Sequence, residues 1–151
     1  MSVSNPTPKN KPPMVDVATS NSFPYEISVE DGGSACADAA GRHFIVDFWQ
    51  ASHLDDLKAI ENALVGAAEV AGAVLLHIHL HKFNEGGGVT GVALLAESHI
   101  SVHTWPELNY AAFDVFMCGA SKPEKAVEFL RECFSPEKYT INEILRGESQ
   151  R

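Results

Sequence analysis

"VTGVALLAESHISVHTWPE", running from Val89 to Glu107, decides how the chain is built. Val89–Ala96 and His99–Trp105 are each apolar, rich in β-branched residues and of strand length, and only the junction at Glu97-Ser98 separates them. Two strands joined that tightly read as antiparallel neighbours. The same stretch is crowded with reactive groups. Between Ala96 and Glu107 lie two serines, two histidines, a threonine, a Trp-Pro pair and two glutamates, placed where buried strands are expected.

Outward from this hairpin the patterning alternates between periods of two and of 3.6. "HFIVDFW" (His43–Trp49) is β-branched and aromatic, and reads as a strand covered on both faces. Ser52 stands three residues before Asp55, a capping arrangement. Leu54, Leu57, Ile60, Ala63, Leu64 and Ala67 then recur at helical spacing until Gly72, which predicts an amphipathic helix. In "AVLLHIHLHKF" Leu76, Ile78 and Leu80 alternate with His77, His79 and His81, the signature of a half-buried strand. "NEGGG" is a turn, and "YAAFDVFM" (Tyr110–Met117) is a further strand after Pro106. Ser121-Lys-Pro-Glu124 has the form of a capping box. It opens a helix whose inner face is Ala126, Val127, Leu130, Cys133 and Phe134, before Pro136 and a last strand "KYTINEIL".

The order is β-α-β-β-β-β-α-β. It predicts an α+β, two-layer sandwich: about six mostly antiparallel strands with two helices on one face. The other sheet face then awaits a cover, for which a partner subunit is the natural candidate. Residues 1–40 are rich in Pro, Ser, Asn, Asp and Gly without periodicity and read as a flexible leader, so the domain is expected over 41–151.

Composition narrows the function classes. The 151 residues suit one domain, and the 45% hydrophobic content suffices for a core. A net charge of −9 argues against nucleic acid or an anionic membrane as the main partner, because both require a basic patch. No apolar run has the length of a membrane span and the N-terminus has no secretory pattern, so a cytoplasmic location is expected. The three cysteines, Cys36, Cys118 and Cys133, have no metal spacing and read as reduced thiols.

Among candidate groups, His77, His79 and His81 form an H-x-H-x-H row that can bind a transition metal. With no second ligand cluster, a polar strand face is the favoured reading. The glycines of "NEGGGVTG" are not followed by Lys-Ser/Thr or by a helix, so they do not cradle a phosphate; they suit a close backbone approach. Cys118, at a strand end before Gly119, is either a presented thiol or a small buried hydrophobe. Ser98 is a turn residue or, with His99 and His103 nearby, a nucleophile; spacing alone leaves this open.

"LLAESHISVHTWPE" followed by "YAAFDVFMCG", with "GRHFIVDFW", "LDDL", "HKF" and "GVTGVALLAESH", resembles the prokaryotic, pyruvoyl-dependent S-adenosylmethionine decarboxylase proenzymes from about Gly41 to Gly147. The resemblance implies a precursor that cuts itself between Glu97 and Ser98 into a β chain, 1–97, and an α chain, 98–151. Ser98 Oγ attacks the Glu97 carbonyl carbon and the amide becomes an ester. Loss of the Ser98 α-proton then expels the Glu97 carboxylate, and the dehydroalanine left behind rearranges and hydrolyses, releasing ammonia and leaving a pyruvoyl group. That group would form a Schiff base with the substrate amine and act as electron sink, a role no standard side chain fills.

By the same resemblance His103 accepts a proton during processing, with Thr90 in support, and Cys118 donates the proton to the substrate carbon after carbon dioxide has left. Phe83 and Trp105 would bind the adenine by stacking, and Glu107 the ribose. No metal is implied. The expected assembly is a homodimer of cleaved protomers with active sites between them, and the product an aminopropyl donor for spermidine. The rival substrates are ornithine or arginine with the same cofactor; a non-catalytic partner subunit is the rival of another class. The "NEGGG" turn and the leader are longer than the family's pattern.

Overall fold

The computed structural model describes residues 39–147, so the segment read as a leader falls outside the description except for its last two residues. The elements are β1 (Gly41–Trp49), α1 (Leu57–Val70), β2 (Leu75–Lys82), β3 (Val89–Leu95), β4 (Ser98–Trp105), β5 (Tyr110–Met117), α2 (Pro123–Phe134) and β6 (Lys138–Arg146), with a 3-10 turn at Pro106–Leu108. This is the expected order. The strands form one sheet in the spatial order β2-β3-β4-β5-β1-β6, and every neighbouring pair is antiparallel.

Alternation along the strands creates the two layers. Phe44, Val46 and Phe48 of β1, Ile100 and Val102 of β4, and Phe113, Val115 and Met117 of β5 are buried on one face. They meet Ile60, Leu64 and Ala67 of α1 and Val127, Leu130 and Phe134 of α2. Phe48, Phe113 and Phe134 pack ring against ring, with centroids 5.1–6.5 Å apart. Truncating one such buried ring to alanine costs about 3–5 kcal/mol, so this trio is a main source of cohesion between the layers. The two helices touch each other where the ring of Phe129 takes the space a side chain at Gly66 would need.

β1 is covered on one face, not two. Its outward residues His43, Ile45, Asp47 and Trp49 are half-buried, and the polar pair among them is the period-two signal that the apolar character of the segment obscured. Helix starts also differ from expectation. Asp56, not Ser52, caps α1, its carboxylate accepting from the backbone of Lys58 and Ala59 at 3.0 Å each. Leu54 is buried in the preceding loop, and Leu57 is exposed.

The capping box at Ser121 does not form. Lys122 occupies the cap position without a side-chain bond, and its N–H goes to the Ala71 carbonyl at 2.9 Å. In β2 a register shift between Leu75 and His77 turns Leu76 out to solvent and Leu75 in toward the core.

Thr104 is a buried hydroxyl of the sheet. It donates to the Leu54 carbonyl at 2.6 Å and accepts the Val89 N–H at 2.7 Å, tying the loop before α1 to the start of β3. Thr104→Val keeps the shape but leaves both backbone groups without that partner, so a loss of about 1–3 kcal/mol per group is expected in urea unfolding. Thr104→Ser, which keeps the hydroxyl, should recover most of it.

Candidate active site

Leu95 and Ser98 pair across β3 and β4, which leaves Ala96 and Glu97 as a two-residue hairpin loop. Glu97 has φ 63°, the left-handed region that glycine or asparagine ordinarily occupies in such turns. A non-glycine residue held there stores on the order of 1–3 kcal/mol, maintained by the pairing of two core strands. The carbonyl of this strained residue forms the peptide bond to Ser98. Ser98 itself is 8% exposed, and its Oγ accepts the backbone N–H of Cys118 at 3.3 Å.

Cys118 follows the last residue of β5 and is partly exposed. It lies against the start of β1: a Cβ built on Gly41 would stand 2.9 Å from Cys118 Sγ and 2.8 Å from the Phe116 ring, so only glycine admits this approach. Serine oxygen, cysteine and strained peptide thus meet at one end of the sheet.

Thr90, His103 and Trp105 meet at the other end. The Thr90 hydroxyl and His103 Nδ1 share a hydrogen bond of 2.8 Å across β3 and β4. The His103 ring lies 6.2 Å from Trp105, which stacks on Tyr110 at 5.2 Å, and Tyr110 in turn packs on Trp49 at 5.7 Å. Tyr110 donates to Asp47; burial first and that bond second push its hydroxyl pKa well above the usual tyrosine range. Trp105 and Phe83 are exposed, and Glu107 lies on the exposed 3-10 turn beyond Trp105. Phe83 closes the glycine-rich loop, its N–H bonded to the Gly88 carbonyl at 3.0 Å, and Gly88 passes against the Thr104 carbonyl where no side chain fits. The close approach expected of these glycines is, at Gly88, an approach to the neighbouring strand's backbone.

Ser98 and His103 are five positions apart on the strand, about 16 Å at the rise of an extended chain, and an odd spacing puts them on opposite faces. Within one copy of the chain the group around Ser98 and Cys118 therefore lies apart from the group around Thr90, His103 and Trp105.

His77 and His79 also lie on the outward face of β2, as does His81, whose ring meets Phe83 edge-on at 5.0 Å. Among the described residues no three ligand side chains converge as a metal site would require. Sequence reasoning passed over His43, Asp114 and Arg146, which form a hydrogen-bonded chain across the outward face. His43 faces Asp114 Oδ1 at 3.2 Å and Arg146 at 3.1 Å, and Asp114 Oδ2 accepts from Ser101 at 3.0 Å. Their only sequence signal is polar residues at period two in otherwise apolar strands. His99 packs beside them, and burial first, then the neighbouring His43, lower its pKa from the usual imidazole value.

Residues 42–147 match the family model described as S-adenosylmethionine decarboxylase. The chain is 44% identical over 108 residues to the S-adenosylmethionine decarboxylase proenzyme of Thermomicrobium roseum, covering 71% of this chain and 93% of that one. It is 48% identical over 110 residues to the protein of the same name from Methanococcus maripaludis, covering 71% and 89%. In fold it is similar to the crystal structure of the adenosylmethionine decarboxylase from Aquifex aeolicus, with a TM-score of 0.69 and 31% identity over 76% of this chain and 96% of that chain. The chain belongs to the S-adenosylmethionine decarboxylase family.

Proposed function

We propose that the chain is a proenzyme that cuts itself between Glu97 and Ser98 and, once cut, decarboxylates S-adenosylmethionine at a site shared by two copies. The observation that carries the reading is the Glu97-Ser98 junction: a nearly buried serine whose oxygen is aligned by the Cys118 N–H, next to a carbonyl held in left-handed strain. Attack of Ser98 Oγ on that carbonyl forms a C–O bond and breaks the C–N bond, and it relaxes the turn. The strain thus favours the acyl shift in the direction of the ester. Removal of the Ser98 α-proton then releases Glu97 as a carboxylate.

A pyruvoyl group at residue 98 would supply an electrophilic ketone that accepts the electron pair left when carbon dioxide departs. The residues around Ser98 fit such a group. The thiol of Cys118 is within reach of the same end of the sheet, is not fully buried, and is suited to return a proton to the substrate carbon. Trp105, with Tyr110 stacked behind it, offers a braced aromatic face for an adenine and for a sulfonium, an attraction worth about 0.5–2 kcal/mol. Phe83 offers a second face and Glu107 acceptors for ribose hydroxyls. The family model and the names of the relatives favour S-adenosylmethionine over ornithine or arginine as substrate. The product serves as an aminopropyl donor for polyamine synthesis. No helix among the described residues is long and apolar enough to cross a membrane, and a cytoplasmic location accords with the chemistry.

His103, with Thr90 on its Nδ1, serves proton transfer during processing. Because it stands about 16 Å from the Ser98 of its own strand, the histidine that serves each Ser98 comes from a second copy whose β4 runs in the opposite sense. Val92, Leu94, Trp105 and Ile144, exposed on the sheet face away from the helices, supply apolar surface for that second copy to cover.

Intact-mass measurement of the purified protein should find two fragments divided at Glu97/Ser98, the second beginning with a pyruvoyl group, and carbon dioxide release from S-adenosylmethionine but not from ornithine or arginine. One uncut, inactive chain would sink the proposal. Ser98→Ala should remain a single chain, whereas Cys118→Ala should cut itself and turn over at least tenfold more slowly. Ser98→Ala and His103→Ala, each uncut alone, should yield cut His103→Ala chain when co-expressed. No cutting in the mixture would show that each chain serves itself.

A further inference from the structure

His43 is given no part in this chemistry, yet both of its ring nitrogens are hydrogen-bonded on the outward sheet face. Arginine only donates, so Arg146 fixes Nδ1 of His43 as an acceptor, and the ring proton stands on Nε2, directed at Asp114 Oδ1. The second oxygen of Asp114 accepts from Ser101. The chain Arg146–His43–Asp114–Ser101 therefore runs across β6, β1, β5 and β4, four strands adjacent in the sheet.

Both ring nitrogens being held, the His43 ring is fixed in plane and forms one wall of a three-ring cluster. Phe116 pairs in register with His43 on one side and with His99 on the other. The ring centroids lie 5.8 Å apart for His43 and Phe116, 5.6 Å for His99 and Phe116, and 6.3 Å for the two histidines. Arg146 also lies over the Phe116 ring at 5.9 Å. His99 is the residue bonded to the carbonyl of Ser98.

We infer that His43 is a positioning residue for the cofactor end of the site, holding through this hydrogen-bonded chain the ring cluster that seats His99 and hence residue 98. The inference rests on the self-cleavage reading above. Before cleavage the hairpin turn holds residue 98 from both sides. Afterwards β4 begins at a free end, and ends held by backbone pairing alone fray. The ring of His99, clamped by Phe116 and His43, is then the side-chain anchor nearest to the new terminus, and Gly41, two residues before His43, keeps Cys118 and Phe116 close to it.

The test is His43→Phe, which keeps a ring in the cluster but removes both hydrogen bonds, together with Arg146→Met at the exposed end of the chain. Each variant should cut itself to completion, because the uncut turn does not depend on the anchor. His43→Phe should then lose 10- to 100-fold in kcat, the scale set by a displacement of about 1 Å at a reacting group, with KM for S-adenosylmethionine changed less than twofold. Arg146→Met should lose less in the same pattern, and His43→Gln, with both a donor and an acceptor, should recover part of the rate. An unchanged kcat in His43→Phe, a loss confined to KM, or failure of either variant to cut would overturn the inference. The wild-type protein assayed beside them separates the two readings: if it cuts and releases carbon dioxide, only the role of His43 is at stake.

Discussion

The antiparallel pairing of β3 with β4 through a two-residue turn is the constraint on which the rest of this protein depends. Leu95 opposite Ser98 leaves no slack, so the turn is taken by Ala96 and Glu97, and the left-handed conformation falls on a glutamate. A slip of one residue would move Ile100 and Val102 from the core to the outward face. Burial of those side chains thus enforces the strain at the peptide that precedes Ser98. A local backbone cost is sustained by packing of the whole sheet.

The same pairing brings Thr90 and His103 together. Because β3 and β4 are in register, Thr90 stands opposite His103, and the Thr104 hydroxyl fastens the start of β3 from the buried side. Phe83 and the glycine-rich loop come against Trp105's strand because Gly88 can approach the Thr104 carbonyl. β4 is therefore both the scaffold of the sandwich and, in the proposed mechanism, a rod with reacting groups at its two ends. A rod cannot fold back on itself, and this rigidity is what makes a second copy necessary in the proposed mechanism.

The outward sheet face combines two kinds of surface. Val92, Leu94 and Ile144 are apolar and exposed, whereas His43, Asp114, Ser101, Asp47, Tyr110 and Thr140 are joined by hydrogen bonds within the face. Such satisfied polar groups can be covered at little cost, while unpaired ones could not. The face is thus suited to burial even though it is far from uniformly apolar.

Period-two and helical spacing sufficed to order the elements, because alternation is imposed directly by which side of a strand or helix meets the core. The motif around Glu97-Ser98 sufficed for the family, and residue types at Ser98, His103 and Cys118 suggested the chemistry proposed for them. Caps and registers escaped: Asp56 rather than Ser52 starts α1, and Leu76 faces outward. Those outcomes turn on loop geometry and on a bulge, which spacing does not encode. Nor did the sequence separate Ser98 from His103, since they are neighbours in the chain and become distant only when the segment is extended in a sheet. The hydrogen-bonded chain through His43, whose members are up to 103 residues apart, exists only because the sheet order places β6, β1, β5 and β4 side by side. By itself the sequence determined the fold class and the candidates for the proposed chemistry, through local periodicity and side-chain type; the tertiary structure decided which groups can meet, because strand order and strand stiffness set distance.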